Sequence, residues 1–235
     1  MEIFWRVLLG HFLADFTLQT NWINAAKRSS VWGMILHCGT HPVLYMILAW
    51  PYLDRLWVNT RLLQMTGWTC VMALFIIHFL EDEWRVFTIN KFNAADSTLF
   101  FAWDQVIHYA SIILLVPMGL DAGAGAFPEK WPVIALLFIL ATHFTTVLIY
   151  FLEMDLWGAA FPGDTEKYLG IAERLVVAMS FLLPGQWWVP VTGCWGAYRL
   201  MLRRKRIQDF TWLNFAVSGS MAVLCGLGAR VVYYS

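Results

Sequence analysis

The sequence predicts an all-α fold, a polytopic transmembrane helical bundle of seven or eight spans. Three observations predict it: the composition, the length of the apolar blocks and the shortness of the segments between them. Of 235 residues, 60% are hydrophobic and 14% charged, against roughly 45–50% and 25% in an ordinary soluble domain. A water-soluble fold cannot hide that much apolar surface. Lipid offers no partner for exposed backbone, so an apolar block of about 20 residues is expected to be a helix. The 14 Trp and 17 Phe suit the headgroup boundary and a buried core.

Eight apolar blocks follow in order: 2–20, 31–53, 64–81, 98–120, 131–152, 169–183, 187–202 and 212–234. The first is broken by polar residues but lacks the basic leader, continuous apolar core and cleavage site of a secretory signal, so it reads as a mature membrane helix. The next four are long and bounded by turn chemistry: PYLD after the second, DAGAGAFPEK after the fourth, AAFPGDTEK after the fifth. The sixth and seventh are short and separated by LLPGQWW, as in a tight hairpin or a re-entrant segment. The whole of 1–235 reads as one integral-membrane domain, with a four-helix half at 1–120 and further helices at 121–235.

Connections from odd to even blocks hold Lys27, Arg28, Arg85, Lys91, Lys167 and the run Arg203, Arg204, Lys205 and Arg206. The opposite connections hold only Arg55, Arg61 and Lys130. By the positive-inside rule the first set faces the cytoplasm, with both termini outside. The basic run also suits anionic lipid headgroups. A formal net charge of zero makes nucleic acid an unexpected partner. Cys38, Cys70, Cys194 and Cys225 are widely spaced and form neither a disulfide framework nor a cysteine zinc motif.

Inside the first four blocks, polar residues recur four apart: His11 and Asp15, His37 and His41, His78 and Asp82, Asp104 and His108. Such pairs share one helix face. Because successive helices run in opposite directions, all four pairs fall at one membrane level, with Gln19, Glu81 and Gln105 nearby. Ionisable groups at membrane depth are costly and normally face protein or water, so eight of them imply a shared polar cavity. Imidazole nitrogens and carboxylate oxygens are the donors that zinc, iron or manganese accept. His11, Asp15, His78 and Asp82 are the first ligands to expect, with His37, His41, Asp104 and His108 as further ligands or supports. The other reading of the same pairs is hydrogen-bonded glue between helices. Glu173 and Arg174, which open the sixth block on the same membrane side, read either as further supports of the cluster or as an internal ion pair of that block, and His143 as a packed histidine.

The segments HFLADFTLQT (11–20) with Lys27 shortly after, LHCGTH (36–41), HFLED (78–82), DQVIH (104–108) and LGIAERLVV (169–177) together resemble, in that order, the bacterial membrane proteins catalogued as domain of unknown function 3307. The resemblance implies a multi-helix inner-membrane protein and supplies no activity. Glu81, Asp82 and Glu83 crowd the third motif, leaving its carboxylate open.

The leading expectation is a metal-dependent hydrolase acting on a lipid-linked or amphiphilic substrate. The alternatives are a non-catalytic subunit among other membrane-protein subunits, ligating haem or a chlorophyll-type pigment, and a proton or ion relay. Membrane lipids are partners under every reading. No serine nucleophile motif, phosphate loop or HExxH is present.

Overall fold

A computed structural model describes residues 1–119, 127, 129–205 and 210–235. The linker after the fourth block, the end of that block at Leu120 and the end of the basic run at Arg206 lie largely or wholly outside the described residues. The chain forms two compact units, Met1–Pro132 and Val133–Ser235.

In the first unit, α1 (Glu2–Phe12) passes directly into a π-helical turn, Leu13–Leu18. Thr20 then caps α2 (Asn21–Ser29), its hydroxyl accepting from the Ile23 N–H at 3.2 Å. Ser30 does the same for α3 (Val31–Ala49), accepting from Gly33 N–H at 3.0 Å, and so turns the chain sharply. A 3-10 turn, Trp50–Tyr52, leads to an antiparallel hairpin of β1 (Leu56–Asn59) and β2 (Gln64–Thr66). Helix α4 (Gly67–Phe92) ends at Asn93, whose φ of 50° is a left-handed C-terminal cap. Ser97 caps α5 (Thr98–Leu115).

Helices α1, α3, α4 and α5 close a ring in which each packs on the next and α5 returns to α1. The half of this ring nearer the hairpin is apolar, built on Val7, Tyr45, Leu53, Trp57, Val71 and Ile112. Gly67 allows the hairpin end to close, since a Cβ there would lie 2.7 Å from the Leu53 Cα. The other half is polar.

The second unit begins within α6 (Lys130–Ile139), which runs through a π turn, Leu140–Phe144, into α7 (Thr145–Trp157). Helices α8 (Asp164–Ser180), α9 (Trp188–Arg204) and α10 (Trp212–Tyr234) complete it. Arg174 of α8 donates to the carbonyls of Ala141 at 2.8 Å and Thr142 at 3.0 Å, to the Thr146 hydroxyl, and to Ser218 Oγ at 3.2 Å.

The fold is predominantly helical, but seven or eight spans are not found. Among the described residues, four helical stretches are long and apolar enough to cross a membrane: Val31–Tyr52, Thr98–Leu115, Lys130–Trp157 and Trp212–Tyr234. The first block fails on length, as 11 α-helical residues followed by six in a π turn. The third gives its start to β2 and runs into Glu81, Asp82, Glu83 and Arg85. The sixth and seventh become helices of 17 residues each, carrying Asp164, Glu166 and Lys167 in one and Arg199, Arg203 and Arg204 in the other.

Candidate metal centre

The polar half of the first unit is a stack of layers to which each helix of the ring contributes. His11 of α1, His41 of α3, His78 of α4 and His108 of α5 form the innermost layer. Their ring centroids are 5.3, 3.8, 4.1 and 5.4 Å apart around the circuit from His11 back to His11. One helical turn further out lie Asp15, His37, Asp82 and Asp104. The spacing of four within each pair places both members on the inward face, one above the other. All eight side chains are buried, with His37 and His41 fully enclosed.

Asp15 is the hub. Its Oδ1 is approached by Nε2 of His41 at 3.1 Å, His37 at 3.4 Å and His78 at 3.7 Å. Its Oδ2 is approached by His11 Nε2 at 3.3 Å and His108 Nδ1 at 3.9 Å, and accepts from the Gln105 amide at 3.3 Å. The π turn carries Asp15 there. No lysine or arginine pairs with this carboxylate among the described residues.

The other two carboxylates are held by cations. Asp82 Oδ2 accepts from Lys27 Nζ at 2.8 Å and stands 3.2 Å from His37 Nε2 and 3.4 Å from His78 Nε2. Cys38 Sγ lies 3.7 Å from the same oxygen. Asp104 Oδ2 accepts from Arg85 Nη1 at 3.0 Å. Further out, Asp96 joins Arg85 at 2.8 Å to Arg28 at 2.6 Å. Burial by itself would lower the Lys27 pKa, but Asp82, Asp15 and Asp104 raise it above its ordinary value. Burial would raise that of Asp96, and Arg85 and Arg28 instead hold it below the usual carboxylate range.

Of the three acids in the third motif, Asp82 is turned fully into the cluster, while Glu81 and Glu83 are half-buried. Gln105 joins through Asp15 and also lies 3.3 Å from Asp104 Oδ2. Gln19, half-buried at the end of the π turn, makes no hydrogen bond to the cluster among the described residues. Glu173 and Arg174 belong to the second unit and do not pair with each other there. Adjacent helix positions point different ways, and Glu173 Oε2 instead meets Arg199 at 3.4 Å and Trp195 at 3.3 Å. His143 is half-buried in the second π turn, 3.1 Å from Thr142 Oγ1.

Among the described residues, several buried atoms of the cluster stand close to its other polar groups but make no hydrogen bond of acceptable geometry: His11 Nε2, both nitrogens of His37, His41 Nδ1, His78 Nε2, both nitrogens of His108 and Asp104 Oδ1. They crowd together without satisfying one another. Two donors each about 2.0–2.1 Å from a tetrahedral ion lie about 3.3–3.4 Å apart, and the imidazole-to-Oδ1 distances of 3.1, 3.4 and 3.7 Å bracket that separation. Asp15, His37, His41 and His78 are thus close enough together to hold a metal ion, as are His11, Asp15 and His108. Cys38 with His78 and Asp82, and Asp82 with Asp104 and His108, form two further groups of this kind.

A family model described as "Protein of unknown function (DUF3307)" matches residues 3–131, more than half of the chain. No curated protein and no solved structure matches the chain.

Proposed function

We propose that this chain, which belongs to the DUF3307 family, binds a divalent ion in its His/Asp cluster and uses it to hydrolyse a lipid-linked or amphiphilic substrate at the bacterial inner membrane. The observation that carries this reading is the convergence of three imidazole nitrogens, from α3 and α4, on one oxygen of an aspartate that pairs with no lysine or arginine among the described residues. A buried carboxylate needs a counter-charge. Zinc, iron or manganese placed among these donors would supply it and would use the lone pairs of the otherwise unpartnered nitrogens. Such an ion brings the pKa of a bound water towards about 7, which makes a nucleophile. Lys27 and Arg85 hold Asp82 and Asp104 in place, as outer partners do for ligands in metal sites.

The substrate class follows from location. Helices long and apolar enough for a membrane, α3 and α5, carry half of the cluster, so a substrate with an apolar anchor is the one delivered to it. The Lys- and Arg-bearing segments at α2, with Lys27 and Arg28, and at the end of α4, with Lys91, favour a cytoplasmic opening. Ring spacing favours an ion over a haem or chlorophyll-type macrocycle. His41 and His78 lie 3.8 Å apart, and His78 and His108 4.1 Å, leaving no flat slot between them.

Elemental analysis of the purified protein is the direct test. Stoichiometric zinc, iron or manganese is expected at about pH 7.5 and should be shed near pH 5, where protons compete for the imidazoles. Asp15→Ala combined with His78→Ala abolishes the metal, and His143→Ala leaves it. A native protein that holds no ion, and gains no thermal stability from any of the three, would make the cluster hydrogen-bonded glue.

A further inference from the structure

We infer that Asp15 bridges two metal ions, one bound through each carboxylate oxygen; this rests on the metal-binding reading above. The imidazoles divide between the two oxygens of Asp15. Those of His37, His41 and His78 approach Oδ1, at 3.4, 3.1 and 3.7 Å. Those of His11 and His108 approach Oδ2, at 3.3 and 3.9 Å. The two donor groups share Asp15 and no other residue. A single ion on Oδ1 would leave His11 Nε2 and His108 Nδ1, the nitrogens that face Oδ2, buried without a hydrogen-bond partner, and leaving buried polar atoms unsatisfied is destabilising. An ion on each oxygen gives every one of the five histidines a partner. Carboxylates of this kind hold paired ions about 3.5–4 Å apart.

The two positions differ in their donors. The Oδ1 ion has three histidines and a carboxylate oxygen, the four ligands of a closed site. The Oδ2 ion has His11, His108 and Asp15 only, three protein ligands with a place left for water. Asp104, whose Oδ1 is buried without a partner, stands beside that place, its Oδ2 being 3.9 Å from His108 Nδ1. The second position is therefore the one open to a water or a substrate oxygen.

The test loads the full-length purified protein with manganese, then measures ions per chain and the electron paramagnetic resonance spectrum. Two ions per chain with an exchange-coupled spectrum are expected, and His108→Ala should halve the count and leave an uncoupled ion. One ion per chain in the native protein, unaltered by His108→Ala, would overturn the bridge and keep the single-ion reading. Two ions without coupling would also overturn it. No ion at all would remove both readings. The native spectrum decides the question even if the variant fails to fold.

Discussion

Lys27 is the side chain on which the outer edge of the cluster depends. It is buried, and its ammonium lies 2.8 Å from an Asp82 carboxylate that is almost wholly enclosed. Removing one partner of a buried pair costs about 3–5 kcal/mol, because the other charge stays buried alone. Lys27→Met should therefore lower the thermal unfolding midpoint substantially, and adding Asp82→Asn should recover part of the loss. Asp96 gives a prediction with a pH dependence. Its folded pKa is depressed, so its stabilising effect is present above the unfolded value of about 3.9 and is lost as pH falls through the folded value. Asp96→Asn should unfold at a lower temperature than the native protein at neutral pH, with the difference closing below about pH 4. Asp96 was not legible as part of the site, and Lys27 was legible only as a residue that follows the first motif, not as a partner of Asp82. In sequence Lys27 and Arg85 have the position and charge of orientation markers, and nothing local tells a lysine facing solvent from one turned inward. The signal was indirect: the eight paired positions contain three aspartates and no basic counter-ion other than histidine, so cations from neighbouring segments were required. The four pairs themselves were legible because a spacing of four fixes a common face whatever the rest of the helix does.

Each helix of the ring is placed by a short local feature, and the ones that escape sequence reading are those with no periodicity of their own. The hairpin of β1 and β2 is only four and three residues long, too short to show alternation, and its residues read as a linker and the start of a helix. The π turn after α1 is likewise invisible in LADFTL, yet it sets the direction of Asp15. Deleting Leu13 would rotate everything beyond it by about 100° relative to His11. The deletion should abolish metal binding, whereas Leu13→Ala, which keeps the register, should retain it; metal content of the two purified variants decides. Helix α2 is positioned by Gly33. A Cβ there would lie 2.2 Å from the carbonyl carbon and oxygen of Ala26 and 2.8 Å from the Lys27 nitrogen, all backbone atoms that cannot swing aside. Gly33→Ala should then push α2 away, carry Lys27 from Asp82 and cost at least the roughly 1–3 kcal/mol of an overpacked core. Gly39, in the same helix, has open space around its Cβ position, and Gly39→Ala should be neutral or slightly stabilising through helix propensity.

At the scale of the molecule, the family match over residues 3–131 falls entirely within the unit Met1–Pro132, the one that contains the complete cluster. Apolar blocks overstated the number of spans because hydropathy cannot distinguish lipid-facing surface from the interior of a packed unit, where α4 turns His78, Asp82 and Arg85 inward. Arg28, just before α3, and Asp96, just before α5, are joined at 2.6 Å, so these two connections lie at one end of the unit whatever the membrane does around them. The stretch Val31–Tyr52, long and apolar enough to cross, separates that end from the hairpin. Lys27, Arg28 and Lys91 gather at the first end, against Arg55 and Arg61 beside or within the hairpin. Reporter fusions near residues 28 and 95 should therefore both read as cytoplasmic, and a fusion near residue 61 as external. Fusions at 28 and 95 on opposite faces would be incompatible with the Arg28–Asp96 pair and with a cluster built from four helices. A fusion at 61 on the same side as the other two would mean that α3 does not cross, and the membrane delivery of an amphiphilic substrate to the cluster would fail with it.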